Sequence, residues 1–175
     1  MGSRQCLLTE CSLARATRED VLAFAADQPV DPGFAACVER ARGLGWTVRV
    51  VSDGLDVYIR AVLDREGFAD LPVEANRAVF AGDRMLAAFP YAGRGCGRCG
   101  NCKAGAVAEA RPGTVWFVGD GLSDRCGARV ADRVFARVDR DLARVCRDEG
   151  IPHELFDSFS AVTAALEAEA AAGRR

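Results

Sequence analysis

The feature that most constrains this chain is the alternation of short β-branched runs with segments of helical period along most of its length. Trp46-Thr47-Val48-Arg49-Val50-Val51 reads as a strand ending in the polar turn Ser52-Asp53-Gly54, with a helix from about Leu55 to Glu66. Thr114-Val115-Trp116-Phe117-Val118 reads as a buried strand ending in Gly119-Asp120-Gly121. A helix over 123–131, a strand at Val134-Phe135-Ala136, a helix over 141–149, a strand over 153–156 and a helix over 159–171 follow. Strands separated by helices predict an α/β fold: a parallel sheet with helices on both faces and any active site at the carboxyl ends of its strands. Trp46 and Trp116 then fall within strands, as core residues.

Two regions break this rhythm. The chain opens on helical spacing over Arg18–Asp27 and Pro32–Leu44, with Thr17 and Asp31 placed as N-caps and Gly43 and Gly45 as stops. Residues 73–89 alternate around Ala81-Gly82-Asp83-Arg84 as a β-hairpin, and a loop rich in glycine and cysteine leads to a helix near 104–110. The expected organisation is therefore a helical piece over 1–44 and an α/β core over 45–175, with the hairpin and the cysteine loop inserted at about 72–103. The alanine-rich, charged stretch 167–175 reads as a fraying helix end.

Composition narrows the function classes. A length of 175 residues, half of them hydrophobic, suffices for one domain with an apolar core. A net charge of −2 with basic residues spread along the chain offers no pull on nucleic acid or an anionic membrane. No run approaches the roughly 20 apolar residues of a membrane span, and Met1-Gly2-Ser3-Arg4 is not followed by a signal-peptide core. A cytoplasmic location is expected. Of the eight cysteines, Cys6, Cys11, Cys37, Cys126 and Cys146 are scattered through helix-like segments, which favours reduced thiols over a disulfide framework. Lys103 is the chain's one lysine and His153 its one histidine.

Two strand ends carry candidate chemistry. At Val51-Ser52-Asp53-Gly54, a hydroxyl and the backbone N–H groups that follow it make a site for phosphate oxygens, although Ser52 or Asp53 could equally cap the next helix. At Gly119-Asp120-Gly121-Leu122-Ser123-Asp124, two carboxylates four residues apart suit Mg²⁺, a hard cation that joins protein oxygens to substrate phosphate. A turn with Ser123 as a helix cap explains the same string. Both motifs follow strands of one parallel pattern, so both open at the same edge of a sheet. Lys103, between them and just before a helix, reads either as a phosphate-neutralising point charge or as a surface lysine.

In this order the residues resemble haloacid-dehalogenase-type (HAD) phosphatases, with Ser52, Lys103 and Gly119-Asp120-Gly121-Leu122-Ser123-Asp124 at the second, third and fourth motifs of that family. Further strings look like one subgroup: Gly2-Ser3-Arg4-Gln5-Cys6, Asp31-Pro32-Gly33-Phe34, Val51-Ser52-Asp53-Gly54-Leu55-Asp56, Ala75-Asn76 and the cysteine loop before Lys103. That subgroup holds the methionine-salvage phosphatases of 2-hydroxy-3-keto-5-methylthiopentenyl 1-phosphate and their phosphoserine-phosphatase-like relatives. The resemblance implies a Rossmann-like sheet and Mg²⁺-dependent hydrolysis of a small phosphorylated metabolite. It implies that Ser52, with Asp53 and Gly54, binds the phosphoryl group. Lys103 would neutralise that group, Asp120 would hold Mg²⁺ and Asp124 would support the metal site. Phosphoryl transfer asks mainly for such neutralisation and positioning.

The family's first motif, D-x-D-x-T on a central strand, does not occur in these 175 residues. The resemblance therefore implies a missing N-terminal piece of about one strand and one or two helices, with Met1 an internal methionine and residues 1–44 the remnant of a helical cap. Loss of a central strand would leave backbone groups unpaired, and a chain without the nucleophilic aspartate is expected to hydrolyse little or nothing. Degenerate phosphate binding without catalysis is the competing expectation. The string Cys96-Gly97-Arg98-Cys99-Gly100-Asn101-Cys102 adds another, a Zn²⁺ site, which needs a fourth ligand such as Cys126, Cys6 or His153; redox pairing and a simple reduced loop also fit. Arg94 and Arg98 are candidates for contact with a substrate's polar end.

Overall fold

The computed structural model describes residues 2–173. In chain order its elements are α1 (Ser3–Leu13), α2 (Arg18–Ala26), α3 (Phe34–Gly43), β1 (Val50–Leu55), α4 (Asp56–Arg65), β2 (Val73–Ala81), β3 (Arg84–Ala88) and α5 (Lys103–Glu109). They continue with β4 (Trp116–Gly119), a 3-10 turn at Leu122–Asp124, α6 (Arg125–Ala128), β5 (Arg133–Arg137), α7 (Asp141–Asp148), β6 (Glu154–Phe156) and α8 (Phe159–Ala172). The chain divides into two units, Met1–Gln28 with Arg49–Arg111 and Pro29–Val48 with Pro112–Arg175, and the strands form two three-stranded sheets.

In the first unit β1 pairs parallel to β2, and β2 pairs antiparallel to β3 across the expected hairpin. Ala78 and Phe80 on β2 turn inward to a core of Cys11, Leu55 and Val57, while Val79 between them is 49 % exposed, the alternation of a half-buried strand. Thr17 begins α2 as expected, in a capping box in which the Asp20 N–H donates to the Thr17 hydroxyl and the Thr17 N–H donates to the Asp20 carboxylate. The sequence reading placed Cys6 and Cys11 in helix-like spacing but delimited no helix corresponding to α1. Its inward stripe is only Leu7 and Cys11, an i,i+4 pair, and the exposed Leu8 and Leu13 blur that period.

The expected strand over 46–51 is corrected to Val50–Leu55, so Ser52, Asp53 and Gly54 lie within β1 rather than in a turn beyond it. The displacement has a tertiary cause. The ladder to β2 aligns Val50 with Val73, Val51 with Glu74 and Leu55 with Asn76, so three residues of β1 are taken up against one gap in β2, an irregularity of the bulge kind. Trp46 is correspondingly outside any strand, but it is packed as expected, its ring 4.9 Å from that of Trp116 in the second unit.

In the second unit β4, β5 and β6 are all parallel, with β5 central. Side chains of β5 alternate between two apolar layers. Phe135 packs with Cys37 and Ala41 of α3, Phe156, and Val162 and Leu166 of α8. Val134 and Ala136 pack with Ala128 of α6 and Leu142, Ala143 and Cys146 of α7. A strand buried on both faces is what a parallel sheet between two helical layers requires. The architecture is thus mixed α/β with parallel strands and flanking helices, as the alternating pattern predicted. Among the described residues no helix is long and apolar enough to cross a membrane.

Asp31 does not cap the helix after it as expected, because α3 starts at Phe34 with Gly33 as its N-cap, and its carboxylate instead ties several segments together. Its Oδ1 accepts from the N–H of Gly33 at 2.9 Å, the N–H of Phe159 at 3.3 Å and the Ser158 hydroxyl at 3.1 Å, and Oδ2 pairs with Arg137 at 3.0 Å. Burial of this side chain, 7 % exposed, works against its charge, but these donors outweigh it and hold the carboxyl below the ordinary range. A folded-state value below the unfolded one means the stabilisation is complete above about pH 4 and fades as pH falls through the lower folded value. Asp31→Asn should therefore cost about 1–3 kcal/mol at neutral pH. In urea unfolding across the acid range its deficit relative to the native sequence should shrink below about pH 4; a constant deficit would contradict the assignment.

Candidate active site

In the first unit the irregular stretch of β1 is held open by two asparagines that are fully buried, Asn76 and Asn101. The Asn101 side-chain amide donates to the carbonyls of Ser52 at 3.2 Å and Glu74 at 2.8 Å. The Asn76 amide donates to the Asp53 carbonyl at 2.8 Å. These side chains satisfy strand carbonyls that the broken ladder leaves without partners, and an unpaired buried carbonyl would cost about 1–3 kcal/mol. The Asp53 carboxylate is the centre of the same network: Oδ1 accepts from the Asn101 N–H at 2.8 Å and the Asn76 amide at 3.2 Å, and Oδ2 accepts from the Ser3 hydroxyl. Neither Ser52 nor Asp53 caps α4, whose N-cap is Leu55. The Ser52 hydroxyl instead accepts from the Gly54 N–H at 3.0 Å and keeps its own proton to donate. Gly54 has no room for a side chain, since a Cβ there would fall 1.9 Å from the Tyr58 hydroxyl, which itself receives the Leu55 N–H at 2.9 Å.

The cysteine loop lies against this strand end. Gly100 approaches so closely that a Cβ would meet Phe89 at 2.6 Å and the Asn76 amide at 2.7 Å, so only glycine lets the loop seat. Asn101, which follows it, joins the loop to Ser52 and Asp53, and Lys103 opens α5 two residues later at 6 % exposure. The surface reading of this lysine is excluded by that burial. All eight cysteines are free thiols, as expected. Cys96 and Cys99 lie with sulfurs 3.4 Å apart. Burial opposes ionisation of Cys96, but N–H groups of Arg98 and Cys99 and the thiols of Cys99 and Cys102 outweigh it and bring it down to about 6. Burial pushes Cys99 up to about 12, reinforced by the neighbouring Cys96. Arg94 is not available to a substrate as the sequence suggested: its guanidinium pairs with Glu74 at 2.8 Å and Glu109 at 3.1 Å and stacks 4.4 Å over Tyr91.

In the second unit Asp120 and Asp124 stand at the carboxyl end of β4, as the strand pattern required. Asp120 is exposed and Asp124 is 6 % exposed. Asp124 Oδ2 accepts the N–H groups of Asp120 and Gly121, each at 2.8 Å, and thereby shapes the Gly-Asp-Gly turn. Gly119 is bound to this arrangement, because a Cβ there would lie 2.6 Å from Asp124 Oδ2. Among the described residues no further carboxylate or imidazole gathers with this pair. With one Asp124 oxygen committed to the backbone, this pair would need further carboxylates beside it to hold Mg²⁺.

The structure thus places Ser52, Asp53 and Gly54 within β1 and Lys103 at the start of α5 in the first unit, and Asp120 and Asp124 after β4 in the second, so the two motifs follow strands of two separate sheets and not of one as expected. Sequence reasoning assigned no role to Asn76 and Asn101. The signal available was a neutral amide beside small residues, Ala75 before one and Gly100 before the other, where the backbone needs donors from outside the ladder.

Residues 8–129 match the haloacid dehalogenase-like hydrolase family, and the chain belongs to it. The particular relatives are phosphatases. The 2-hydroxy-3-keto-5-methylthiopentenyl-1-phosphate phosphatase of Brevibacillus brevis is 31 % identical over 160 residues, 89 % of this chain and 71 % of that protein. The enzyme of the same name from Geobacillus kaustophilus is 31 % identical over 140 residues, covering 77 % and 62 %. The polyol phosphate phosphatase of Saccharomyces cerevisiae is 28 % identical over 156 residues, covering 79 % and 63 %. The chain therefore spans roughly two thirds of the length of such relatives. In fold it is similar to a phosphoserine phosphatase from T. onnurineus, with a TM-score of 0.69 at 19 % identity over 93 % of this chain and 72 % of that one.

Proposed function

We propose that this chain carries the phosphate-binding serine and lysine and the metal-binding aspartates of a Mg²⁺-dependent phosphomonoesterase acting on a small phosphorylated metabolite in the cytoplasm. The observation that carries the reading is the tie between Ser52 and Lys103: Asn101 bonds the Ser52 carbonyl and the Asp53 carboxylate and stands two residues before the buried lysine. A hydroxyl with a proton to give and an ammonium at low exposure are what a phosphoryl group with two or more negative oxygens needs from a protein. The Ser52 hydroxyl holds a phosphoryl oxygen, the Gly54 N–H that donates to that hydroxyl fixes its direction, and Lys103 neutralises the group. Asp53 acts by positioning, since its oxygens are engaged within the protein. Asp120 supplies one metal carboxylate and Asp124 holds its turn. The phosphorylated compounds in the names of the bacterial and yeast relatives support a small phosphomonoester as substrate.

The sequence contains no D-x-D-x-T, so these 175 residues alone lack the carboxylate that would attack phosphorus and the further carboxylates Mg²⁺ requires. Two forms test the reading with p-nitrophenyl phosphate: this chain as it stands, and the same chain preceded by a strand that ends in D-x-D-x-T. The first should be inert. The second should hydrolyse the ester only with Mg²⁺ present. An extended form that binds inorganic phosphate by calorimetry yet never turns over would replace the enzyme by a phosphate-ligand-binding protein.

A further inference from the structure

Residues 89–102 connect β3 to α5 without regular secondary structure. Connections of that length need some device of their own to hold a shape. Within this one, the sulfurs of Cys96, Cys99 and Cys102 all lie within 4.8 Å of one another. Four sulfurs around a tetrahedral zinc at Zn–S ≈ 2.3 Å stand about 3.8 Å apart, so the three thiols already have nearly the spacing of metal ligands. The Cys96–Cys99 pair at 3.4 Å is far too long for a bond between sulfurs, which measures about 2.05 Å.

The backbone is arranged to suit charged sulfurs. The Cys96 N–H points at Cys102 Sγ at 3.5 Å, and the N–H groups of Arg98 and Cys99 point at Cys96. N–H donors of this kind surround ligating thiolates and tune the metal they hold. Two glycines at left-handed φ make the folding of the loop possible: Gly97 at +72° between the first two cysteines, and Gly95 at +68°, where a Cβ would fall 2.6 Å from Cys102 Sγ. Cys102 is fully buried, and its sulfur accepts a backbone N–H from within the loop.

We propose that Cys96, Cys99 and Cys102 bind a structural Zn²⁺, completed by a fourth donor from outside the loop, and that this ion fixes the segment that presents Asn101 and Lys103 at the end of β1. Binding replaces the thiol protons with the metal, so the ion and three thiolates form with release of those protons and no change in oxidation state. The site stands on the cysteine geometry alone and is independent of the phosphatase reading.

The test uses the whole chain, purified without chelator and assayed for metal by mass spectrometry. Zinc should be present in stoichiometric amount. Replacing it by Co²⁺ should produce the intense sulfur-to-metal charge-transfer absorption and the visible bands of tetrahedral cobalt thiolate. Cys99→Ser should lose at least about nine tenths of the zinc, which at a tenfold or greater drop in retention corresponds to ~1.4 kcal/mol or more. Chelation of the native sequence should increase proteolytic cutting between residues 89 and 102, a readout that does not depend on any variant folding. Metal-free protein whose loop thiols all react with a thiol reagent, cobalt spectra without sulfur bands, or an intact-mass loss of two hydrogens assigned to a Cys96–Cys99 disulfide would each overturn the proposal.

Discussion

Exchanging Phe135 for alanine lowers the free energy of unfolding by about 3–5 kcal/mol. The ring is 2 % exposed at the centre of the second unit, with Trp116 5.5 Å away and α3, α8 and Phe156 around it. Its removal leaves a cavity that neighbours from four elements cannot all fill, so the loss combines the transfer term with the cost of the cavity. The Arg133 guanidinium, 5.1 Å from the same ring and 4.3 Å from that of Trp116, loses one of its two aromatic faces. Against a total stability of about 5–15 kcal/mol the loss is large, and thermal unfolding should shift down by about 2–4 °C per kcal/mol. Val79→Ala, at a position 49 % exposed on β2, should change stability by about 0.5 kcal/mol or less. Equal losses at the two positions would mean that Phe135 is not a core residue.

Lys103→Ala, placed in the form that carries D-x-D-x-T, should lower kcat by about 10²–10³-fold. Neutralising a phosphoryl group in a site of low exposure is worth far more than the same contact in water, and at 6 % exposure Lys103 is shielded from the solvent that would otherwise screen it. Lys103→Arg should not restore the rate, because the planar guanidinium needs more room than the compact ammonium at a buried helix start. Thermal unfolding separates this effect from misfolding: the alanine variant should melt close to its parent while its rate collapses. A loss smaller than about tenfold would remove Lys103 from the phosphate site.

How much of this was legible in the sequence differs from element to element. Val134-Phe135-Ala136 was readable as a strand because a short β-branched and aromatic run fits a pleat buried on both faces, and the structure buries all three residues. The hairpin over 73–88 was readable from its alternation and its Gly82-Asp83 turn. The position of β1 was not. Trp46-Thr47-Val48 has strand chemistry, yet the ladder begins at Val50, because the residues that pair are chosen by where β2 runs and by which carbonyls Asn76 and Asn101 can reach. Helix α1 was hidden for the opposite reason: its apolar residues are distributed around the cylinder, and only packing selects Leu7 and Cys11 as its inner stripe.

The sequence by itself determined the class of fold, the strand end at which Asp120 stands, and the membership in a family of phosphate-ester hydrolases, because period, turn residues and motif order are properties of neighbours along the chain. Tertiary structure alone decided that Ser52 sits inside a strand irregularity rather than on a helix cap, that Asp53 is a hub of internal hydrogen bonds, that Arg94 is spent on two glutamates, and that three cysteine sulfurs converge. The strand irregularity, the Asp53 network and the Arg94–Glu74 pair depend on hydrogen-bond partners 20 to 50 residues away along the chain, and a local pattern carries no record of such a distance; the three cysteines are near neighbours in sequence, and there only the folding of the loop turns their sulfurs together.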